Sequence, residues 1–441
     1  MPKTARLIFF LLLFISPAAG AQTGTIQRVR CQADTTQEYA LYIPASCSPE
    51  KPAPLLLFFD PAARGNLPVR LYQSLADEFG IILAGSFNSQ NFDGGSTIKA
   101  FVSLYNDLTG NHNIDLRRIW VSGFSGGARA AALVAMQYRE VTGVIGCGAG
   151  FAGSGEIDSA TLHHYAAIVG DRDMNYGELM DNAGYLDGKK ISNLLLVFDG
   201  EHTWPPVASM GLAMEWLGFE TGMDIKNTPR GDLQLNRATQ KADSGWLYPA
   251  WWDAMQLARI PSYREKAQAL QQQLENKKDF ATDKRVFEQS ALEETNQMNA
   301  FSILFSAAVL EEKTVAKKDW SSLAAYVRGM KKDAQAYRRA CGQRCYDHCT
   351  RSCMEQYFQF MQQREYKKAA LIPPVLQYFM PESGQPDYYM ARISAATGNK
   401  KEAEQYLKAA MKKGMTFSSF IEQDPELAKQ FTAGELKALW Q

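Results

Sequence analysis

The sequence predicts an α/β fold with a mostly parallel sheet covered by helices on both faces, followed by an all-α domain. From about residue 36 to residue 220, short strand-like segments alternate with helical ones. The strand-like segments are continuous apolar runs, such as residues 55–59, which is typical of strands buried on both faces. Past about residue 225 these segments stop, and long stretches rich in Gln, Glu, Lys and Ala predict helices.

The elements of the first domain follow from apolar periodicity and from the turns between them. Apolar runs predict strands at residues 39–43, 55–59, 81–84, 119–122, 144–145, 166–169 and 194–198. Helical spacing of apolar residues predicts helices at 71–79, 98–108 and 128–138. Strands that alternate with helices run parallel, because each helix carries the chain back to the same end of the sheet.

The composition excludes several classes of protein. The chain has 441 residues, of which 46% are apolar and 21% charged, so it is long and apolar enough to bury a large core and is not disordered overall. Lys plus Arg and Asp plus Glu number 47 each, so the formal net charge is zero. This balance gives no general attraction to nucleic acid or to an anionic membrane.

The N-terminus predicts export. Lys3 and Arg6 precede a short apolar run at residues 7–15, and Ala-Gly-Ala at 19–21 is a small-x-small cleavage site. Residues 1–21 are therefore predicted to be a signal peptide, with the mature protein periplasmic or secreted. A membrane anchor is the alternative, but this apolar run is short for a span of about 20 residues. No later segment is predicted to cross a membrane.

A polar stretch at residues 226–245, which contains Pro229 and two glycines, predicts a linker. It separates a domain at 22–225 from a helical domain at 246–441. No motif in either domain predicts a cofactor.

The last eighty residues, at about 356–441, contain an internal repeat. The sequences at 366–369 and 400–403 lie 34 residues apart, which is the period of the tetratricopeptide helix pair, and the region resembles that repeat. The first copy departs from the pattern because Pro373 and Pro374 interrupt its second helix. Helical repeats of this kind predict a protein or glycan partner.

Residues 123–127, Gly-Phe-Ser-Gly-Gly, fit the pattern G-x-S-x-G. The pattern follows a strand that ends at Ser122 and opens a helix that begins near Ala128. In that context Ser125 lies on a tight strand-to-helix turn with its Oγ exposed, next to a helix N-terminus that stabilises negative charge. Ser125 is the predicted nucleophile, and the alternative is a Gly/Ser turn without chemistry.

A serine on such a turn is expected to be followed by an acid and then a histidine. Asp171 and Asp173 come after the strand at 166–169, and His202 comes after the strand at 194–198. The carboxyl ends of parallel strands meet at one edge of a sheet, so these side chains are predicted to converge on Ser125.

These segments resemble the α/β hydrolases, and among them secreted esterases of the feruloyl esterase and polyhydroxybutyrate depolymerase type. Those families commonly show Gly-x-x-Asp at the acid and Gly-x-His-x-Trp-Pro at the histidine, which residues 170–173 and 200–205 match. The resemblance favours Asp173 over Asp171 as the acid.

An oxyanion hole requires backbone N–H groups directed at the developing negative oxygen. One is predicted from Gly126, directly after the nucleophile, and the other from the loop after residues 55–59. Related esterases carry His-Gly in that loop, whereas this chain has Asp-Pro at 60–61, and proline has no N–H. Ala62 is therefore the predicted donor, with Ala63 as its alternative.

Two side chains are candidate substrate-binding residues. Trp204 belongs to the motif around His202, and Arg64 lies in the loop of the predicted oxyanion hole. Arg64 either meets an anionic group of the substrate or pairs structurally with Asp60 or Asp93.

The seven cysteines fall into three groups. Cys31 and Cys47 flank the first predicted strand and are candidates for a disulfide in an exported protein, whereas Cys147 is expected to be a buried free thiol. The remaining four recur every fourth residue and are Cys341, Cys345, Cys349 and Cys353. They predict a buried stripe of small residues, local disulfides, or a soft-metal site with help from His348.

Ser125, Asp173 and His202 thus predict an exported serine hydrolase that cleaves a carboxylic ester of a small molecule or glycan, without metal or cofactor. A peptidase or thioesterase with the same triad is the nearest enzymatic alternative. The alternative from another class is a catalytically weak scaffold whose helical repeats bind a protein or glycan. The complete order of serine, acid and histidine along the chain favours the enzyme.

Overall fold

A computed structural model of the chain describes residues 22–91, 94–151, 157, 161–225 and 229–440. The predicted signal peptide, at residues 1–21, lies outside these ranges. The described chain forms a sheet flanked by helices, followed by a helical region, as the sequence predicts.

The first part of the chain builds one sheet. In the described residues its strands are β1 (Ile26–Arg30), β2 (Glu38–Tyr42), β3 (Ala53–Phe59), β4 (Ile82–Ser86), β5 (Ile114–Phe124), β6 (Gly143–Cys147), β7 (His164–Gly170) and β8 (Ser192–Phe198). They are ordered β1-β2-β4-β3-β5-β6-β7-β8. β1 and β2 pair antiparallel, as do β2 and β4, and all other pairs are parallel. This is the mostly parallel sheet that the sequence predicts. β1 escaped prediction because three of its five residues are polar and it contains no apolar run.

Helices cover both faces of this sheet. They are α1 (Asn66–Phe79), α2 (Gly94–Asn111), α3 (Gly126–Gln137), α4 (Tyr176–Gly188) and α5 (Val207–Glu220). Alternate residues of β3 point to opposite faces: Leu55 and Leu57 join the core beneath α2, α3 and α4, while Leu56 and Phe58 join the core beneath α1 and α5. The continuous apolar strands of the sequence are therefore buried on both sides.

The rest of the chain is helical. In order, its helices are α6 (Arg230–Asp243), α7 (Leu247–Leu257), α8 (Arg264–Glu275), α9 (Phe280–Phe305), α10 (Lys317–Lys331), α11 (Ala336–Gln362), α12 (Tyr366–Ala369), α13 (Ile372–Phe379), α14 (Gln385–Ala396), α15 (Lys400–Lys412), α16 (Ser419–Glu422) and α17 (Ala433–Leu439). Within the described ranges, none of the helices is both long enough and apolar enough to span a bilayer.

The segment predicted as a linker contains helix α6, and this corrects the prediction. Gln234 and Arg237 on α6 donate side-chain hydrogen bonds to the carbonyl of Val197, at 3.1 and 2.7 Å. Gln256 on α7 accepts the N–H of Leu195 at 2.9 Å. These contacts satisfy backbone groups at the open edge of β8, which would otherwise lack partners. Polar side chains of the segment, which suggested a linker, thus form hydrogen bonds with the backbone of β8.

In the C-terminal region α14 and α15 pack against each other. Both contribute to one apolar core that they share with α11 and α13. Asn399 caps α15 by accepting the N–H of Glu402. Pro373 and Pro374 lie in the first turn of α13, where proline is tolerated because the first N–H groups of a helix have no partner within it. They begin that helix and do not interrupt it. A tetratricopeptide repeat remains a prediction.

All seven cysteines are free, so the predicted disulfide between Cys31 and Cys47 is not formed. Burial, followed by the charge of Asp107, raises the pKa of the Cys31 thiol to about 12. The four cysteines of α11 are all buried, and burial raises their pKa values, which keeps the thiols protonated. Of the three alternatives for them, the buried stripe matches this arrangement. No group of residues in the described ranges has the composition and spacing to hold a metal ion.

Candidate active site

Ser125 lies on the turn between β5 and α3. Its backbone has a φ of +53° and a ψ of −121°, an unusual conformation for a residue other than glycine. Its N–H donates to the carbonyl of Cys147 at 2.8 Å, which ties the turn to the neighbouring strand. A Cβ atom on Gly123 would overlap the backbone of Gly127, so the glycines of the motif allow the strand and the helix to meet at this turn.

The structure brings Ser125, His202 and Asp173 together. The Ser125 hydroxyl lies 2.9 Å from Nε2 of His202, in position to donate to it. Nδ1 of His202 lies 2.9 and 3.0 Å from the two carboxylate oxygens of Asp173. The Asp173 side chain is 1% exposed and that of His202 is 7% exposed, so the contact between the imidazole and the carboxylate is shielded from water. The three follow the ends of β5, β7 and β8, at the same edge of the sheet.

Gly148, after β6, provides the space in which the acid and the imidazole meet. Its φ is +64°, and a Cβ atom there would lie 3.0 Å from Asp173 Oδ2 and 3.3 Å from His202 Nδ1. Asn175 supports the same arrangement, because its N–H donates to Asp173 Oδ1 at 2.9 Å and its side chain donates to the Gly148 carbonyl at 2.7 Å. The sequence contained no pattern that singled out either residue.

Asp171, the alternative acid, has other partners. Its carboxylate accepts the N–H of Gly200 at 3.2 Å and a bond from Arg237 at 3.0 Å. Asp171 therefore ties the loop after β7 to the loop that carries His202, while Asp173 contacts the imidazole.

The loop after β3 differs from the sequence-based prediction. The N–H of Ala62 donates to Asp60 Oδ1 at 2.9 Å, and that of Ala63 donates to the Asp60 carbonyl at 3.0 Å. Both predicted oxyanion donors are thus engaged within their own loop. The aspartate in the Asp-Pro pair is the cause, because its carboxylate captures the N–H group two residues later.

Asp60 also engages both candidate substrate-binding side chains. Arg64 donates to its two carboxylate oxygens at 2.8 and 3.0 Å, and Trp204 Nε1 donates to Oδ2 at 3.1 Å. Burial alone would raise the pKa of Asp60, but these hydrogen bonds and that from Ala62 outweigh it and hold the pKa below its usual value. Arg64 therefore takes the structural role that was the alternative. Trp204 is buried against Phe58 and does not line the cavity at Ser125. Asp93, the other predicted partner of Arg64, lies outside the described residues.

Asn91 is a residue that sequence analysis missed. Its side-chain amide lies directly against Gly126, and a Cβ atom on Gly126 would overlap it. The Asn91 Oδ1 atom is buried and has no hydrogen-bond partner in the part of the chain that the structure describes. Its backbone N–H donates to the Pro61 carbonyl at 3.1 Å, which fixes the residue beside the loop after β3. This unpartnered amide lies beside Gly126, the residue that follows the nucleophile. It is therefore in a position to form a hydrogen bond with a bound molecule.

A cavity of about 450 Å³ opens at Ser125 and Gly126. One wall is α3, which contributes Arg129 and Leu133. The opposite wall is α11 of the helical region, which contributes His348, Ser352 and Glu355. The helical region is therefore part of this cavity, a role that the sequence did not predict.

Comparison with protein families identifies the segment around this site. The model of the family described as Esterase PHB depolymerase matches residues 85–183, which include Ser125 and Asp173. The match confirms the predicted resemblance. The chain carries an α/β hydrolase domain of the esterase type. The same match confirms the prediction of a carboxylic ester hydrolase.

Solved structures similar to the hydrolase domain include several esterases. An esterase from Pyrobaculum calidifontis is 10% identical, with a TM-score of 0.36, over 46% of this chain and 87% of its own. An S-formylglutathione hydrolase from Staphylococcus aureus is 12% identical, with a TM-score of 0.35, over 45% and 96%. Est1E from Butyrivibrio proteoclasticus is 12% identical, with a TM-score of 0.35, over 44% and 98%. No curated protein matches the chain.

Arg344 on α11 links the helical region to the hydrolase domain. Its side chain is 7% exposed and forms a two-bond ion pair with Glu294 on α9, at 2.7 and 2.5 Å. The guanidinium also donates to the carbonyl of Asp171 at 2.9 Å and lies 4.7 Å from the ring centre of Tyr176. The loop that carries Asp173 is thus held at one end by a buried charge from the helical region.

Proposed function

We propose that this protein is an exported serine hydrolase that cleaves a carboxylic ester through Ser125, His202 and Asp173. The observation that carries the proposal is the chain of short contacts from the Ser125 hydroxyl through the imidazole to a buried carboxylate, 2.9 Å at each step. Three side chains in this order and geometry are what acyl transfer to serine requires. The esterase family match over residues 85–183, which include Ser125 and Asp173, supports an ester as the substrate.

In the proposed mechanism, His202 takes the proton of Ser125 as Oγ attacks the ester carbonyl. Asp173 orients the imidazole through Nδ1 and stabilises its protonated form. The tetrahedral intermediate collapses to an acyl-enzyme, and His202 gives its proton to the departing alkoxide. Water then enters, loses a proton to His202, attacks the acyl carbon and releases the carboxylic acid, with the proton returned to Ser125.

The oxyanion of the intermediate needs hydrogen-bond donors. The first proposed donor is the N–H of Gly126, at the N-terminus of α3, where the helix dipole adds positive potential. For the second we propose the side-chain amide of Asn91, because the N–H groups of Ala62 and Ala63 have partners in their own loop. A half-turn of the Asn91 side-chain amide exchanges Oδ1 with Nδ2. The amide can therefore present an N–H donor at the unpartnered position beside Gly126.

The domain organisation is proposed with the helical region as a second unit that completes the active-site cavity. Its supporting contacts are the hydrogen bond from Arg344 to the backbone carbonyl of Asp171 and the cavity wall formed by α11. We also propose that the repeat-like helices bind a protein or glycan partner. The predicted signal peptide is proposed to be removed on export. The rival function, a scaffold without turnover, predicts the same fold but an unreactive Ser125.

The test is hydrolysis of p-nitrophenyl acetate by the purified protein and by the variant Ser125→Ala. Loss of the nucleophile and its base-assisted attack should lower kcat by about 10⁴-fold or more, with the melting temperature unchanged. Ser74→Ala, on the exposed surface of α1, is the control and should retain full turnover. Equal turnover in Ser125→Ala would exclude Ser125 as the nucleophile.

A further inference from the structure

A second cavity lies directly beside the active-site cavity, between the hydrolase domain and the helical region. Its volume is about 980 Å³, and its walls come mainly from α4 on one side and from α7, α9 and α11 on the other. Met174, Asn175 and His348 line both cavities, so the two spaces meet at these three side chains. Cavities of this size, at the contact between two parts of a chain, are where proteins commonly bind small molecules.

The second cavity is elongated. The lining residues of α9 lie on one face of that helix between positions 287 and 302, a stretch of about 22 Å. Those of α4 lie between positions 176 and 184, a stretch of about 12 Å. α4 begins beside Asn175, at the edge of the sheet that carries Ser125, and returns the chain to the opposite edge, where β8 begins parallel to β7. The cavity therefore leads away from Ser125 along α4.

Large apolar side chains contribute to the walls of this cavity. Met180, Trp252 and Phe287 are only partly buried and pack against the core of the hydrolase domain. Met298 is also partly buried and packs against the core of the helical region. All four line the cavity. An apolar chain placed against them would remove apolar surface from water on both sides, which is favourable.

The charged groups of the lining are paired or exposed to solvent. Arg344 donates to Glu294 at 2.7 and 2.5 Å, and Lys241 donates to Asp253 at 2.5 Å. The remaining acids of the lining are either paired with an arginine or exposed. In the part of the chain that the structure describes, the lining thus holds no buried charge that requires a partner from a substrate. An uncharged chain suits such a cavity, because it adds no charge that would need one.

We propose that this cavity holds the acyl chain of the substrate along α4, and that the protein acts on esters of carboxylic acids with a long apolar chain. The inference rests on the proposed function, because the chain is attached to the carbonyl carbon that Ser125 attacks. The acyl group stays bonded to Ser125 after the alcohol has left, so it needs a site of its own until water releases it. Met174, whose unbranched side chain adapts to its neighbours, lies where the chain passes between the two cavities. The alcohol is assigned to the active-site cavity, from which it departs.

Two glycines of α4 allow a direct test, because both line the cavity. A Cβ atom on Gly177 or on Gly184 would meet no neighbouring atom within 4 Å, so a larger side chain there extends into open space. Gly177 lies in the first turn of α4, and Gly184 lies about two turns farther from the active site. Gly188, at the end of the same helix, has the same open space but lies outside the lining of the cavity. It is the matched control.

The experiment measures kcat/KM for the p-nitrophenyl esters of acetate, butyrate, octanoate and dodecanoate. We expect the native enzyme to prefer octanoate over acetate by about tenfold or more, and Gly177→Phe to lower this ratio by about tenfold. In Gly184→Phe the loss should begin at a longer acyl chain, and Gly188→Phe should keep the native ratios. Octyl acetate, whose long chain is in the alcohol, should keep its rate relative to p-nitrophenyl acetate in every variant.

Native chain-length ratios in both Gly177→Phe and Gly184→Phe, with native melting temperatures, would overturn the proposal. An equal loss toward all the esters would also overturn it, since it would mean that the substitutions only disturb the loop of Asp173. A loss confined to octyl acetate would place the alcohol in the cavity instead. The comparison of Gly184→Phe with Gly188→Phe is sufficient if Gly177→Phe does not fold. Absence of any Ser125-dependent hydrolysis would instead contradict the proposed function.

Discussion

The guanidinium of Arg344 donates a 2.9 Å hydrogen bond to the backbone carbonyl of Asp171, two residues before the acid that contacts His202. Arg344 belongs to a helix far along the chain from the sheet, and its charge is held by Glu294 in a neighbouring helix. A buried, two-bond ion pair has little freedom to move, so the carbonyl it contacts is fixed as well. The helical region therefore positions the loop of Asp173.

The first prediction concerns this link. In the double variant Arg344→Met with Glu294→Gln, no buried charge is left unpaired, so the fold should be retained. The loop of Asp173 loses its anchor, and a small displacement of the acid should lower kcat by about tenfold or more with little change in KM. Turnover of p-nitrophenyl acetate measures both constants.

The control for this link is Arg339→Met on the same helix, because Arg339 is exposed and donates to the carbonyls of Asp333 and Ala334, just before α11. It should leave both constants within about twofold. A double variant with normal kcat would mean that the helical region is attached to the hydrolase domain without positioning its acid.

The second prediction separates the two aspartates. Asp173→Asn leaves an amide where His202 needs a carboxylate, so kcat should fall by about 10³- to 10⁴-fold. Asp171→Asn keeps hydrogen bonds between the two loops and should cost less than about tenfold. Steady-state rates of the two variants, each checked by circular dichroism, give the comparison. The reverse ranking would assign the acid to Asp171.

Much of the site was predictable because its residues follow strands. The order of Ser125, Asp173 and His202, each just after an apolar run, was enough to place all three at one edge of a parallel sheet. Both layers of the hydrolase domain followed from the same alternation. Apolar runs and the residues directly after them are local features of the sequence, so they can be recognised without knowledge of tertiary contacts.

The remainder depends on tertiary contacts that no local pattern reveals. Asn91 lies in a polar loop and matters only because the turn of Ser125 comes to rest against it. Ala62 was chosen for its position after a strand, but the carboxylate of Asp60 takes its N–H. The polar stretch at 226–245 resembled a linker because α6 uses polar side chains to cover the edge of β8. The wall formed by α11 depends on how two distant parts of the chain pack.

The third prediction tests Asn91 as an oxyanion donor. Asn91→Ala removes one donor and should lower kcat by about 10²- to 10³-fold while KM changes little, because the bond is made only in the transition state. Asn106→Ala, on the exposed face of α2, is the matched control. A kcat for Asn91→Ala within about twofold of the native value would exclude Asn91 as the second oxyanion donor.

The most direct measurement of the central claim is covalent labelling with a fluorophosphonate probe, followed by intact mass and peptide mapping. Attack of an activated Ser125 on phosphorus forms a stable adduct and expels fluoride. The native protein should gain one probe mass, located on the peptide that contains Ser125, and the folded Ser125→Ala variant should gain none. A folded native protein that stays unlabelled, or a Ser125→Ala variant labelled to the same extent, would contradict the account.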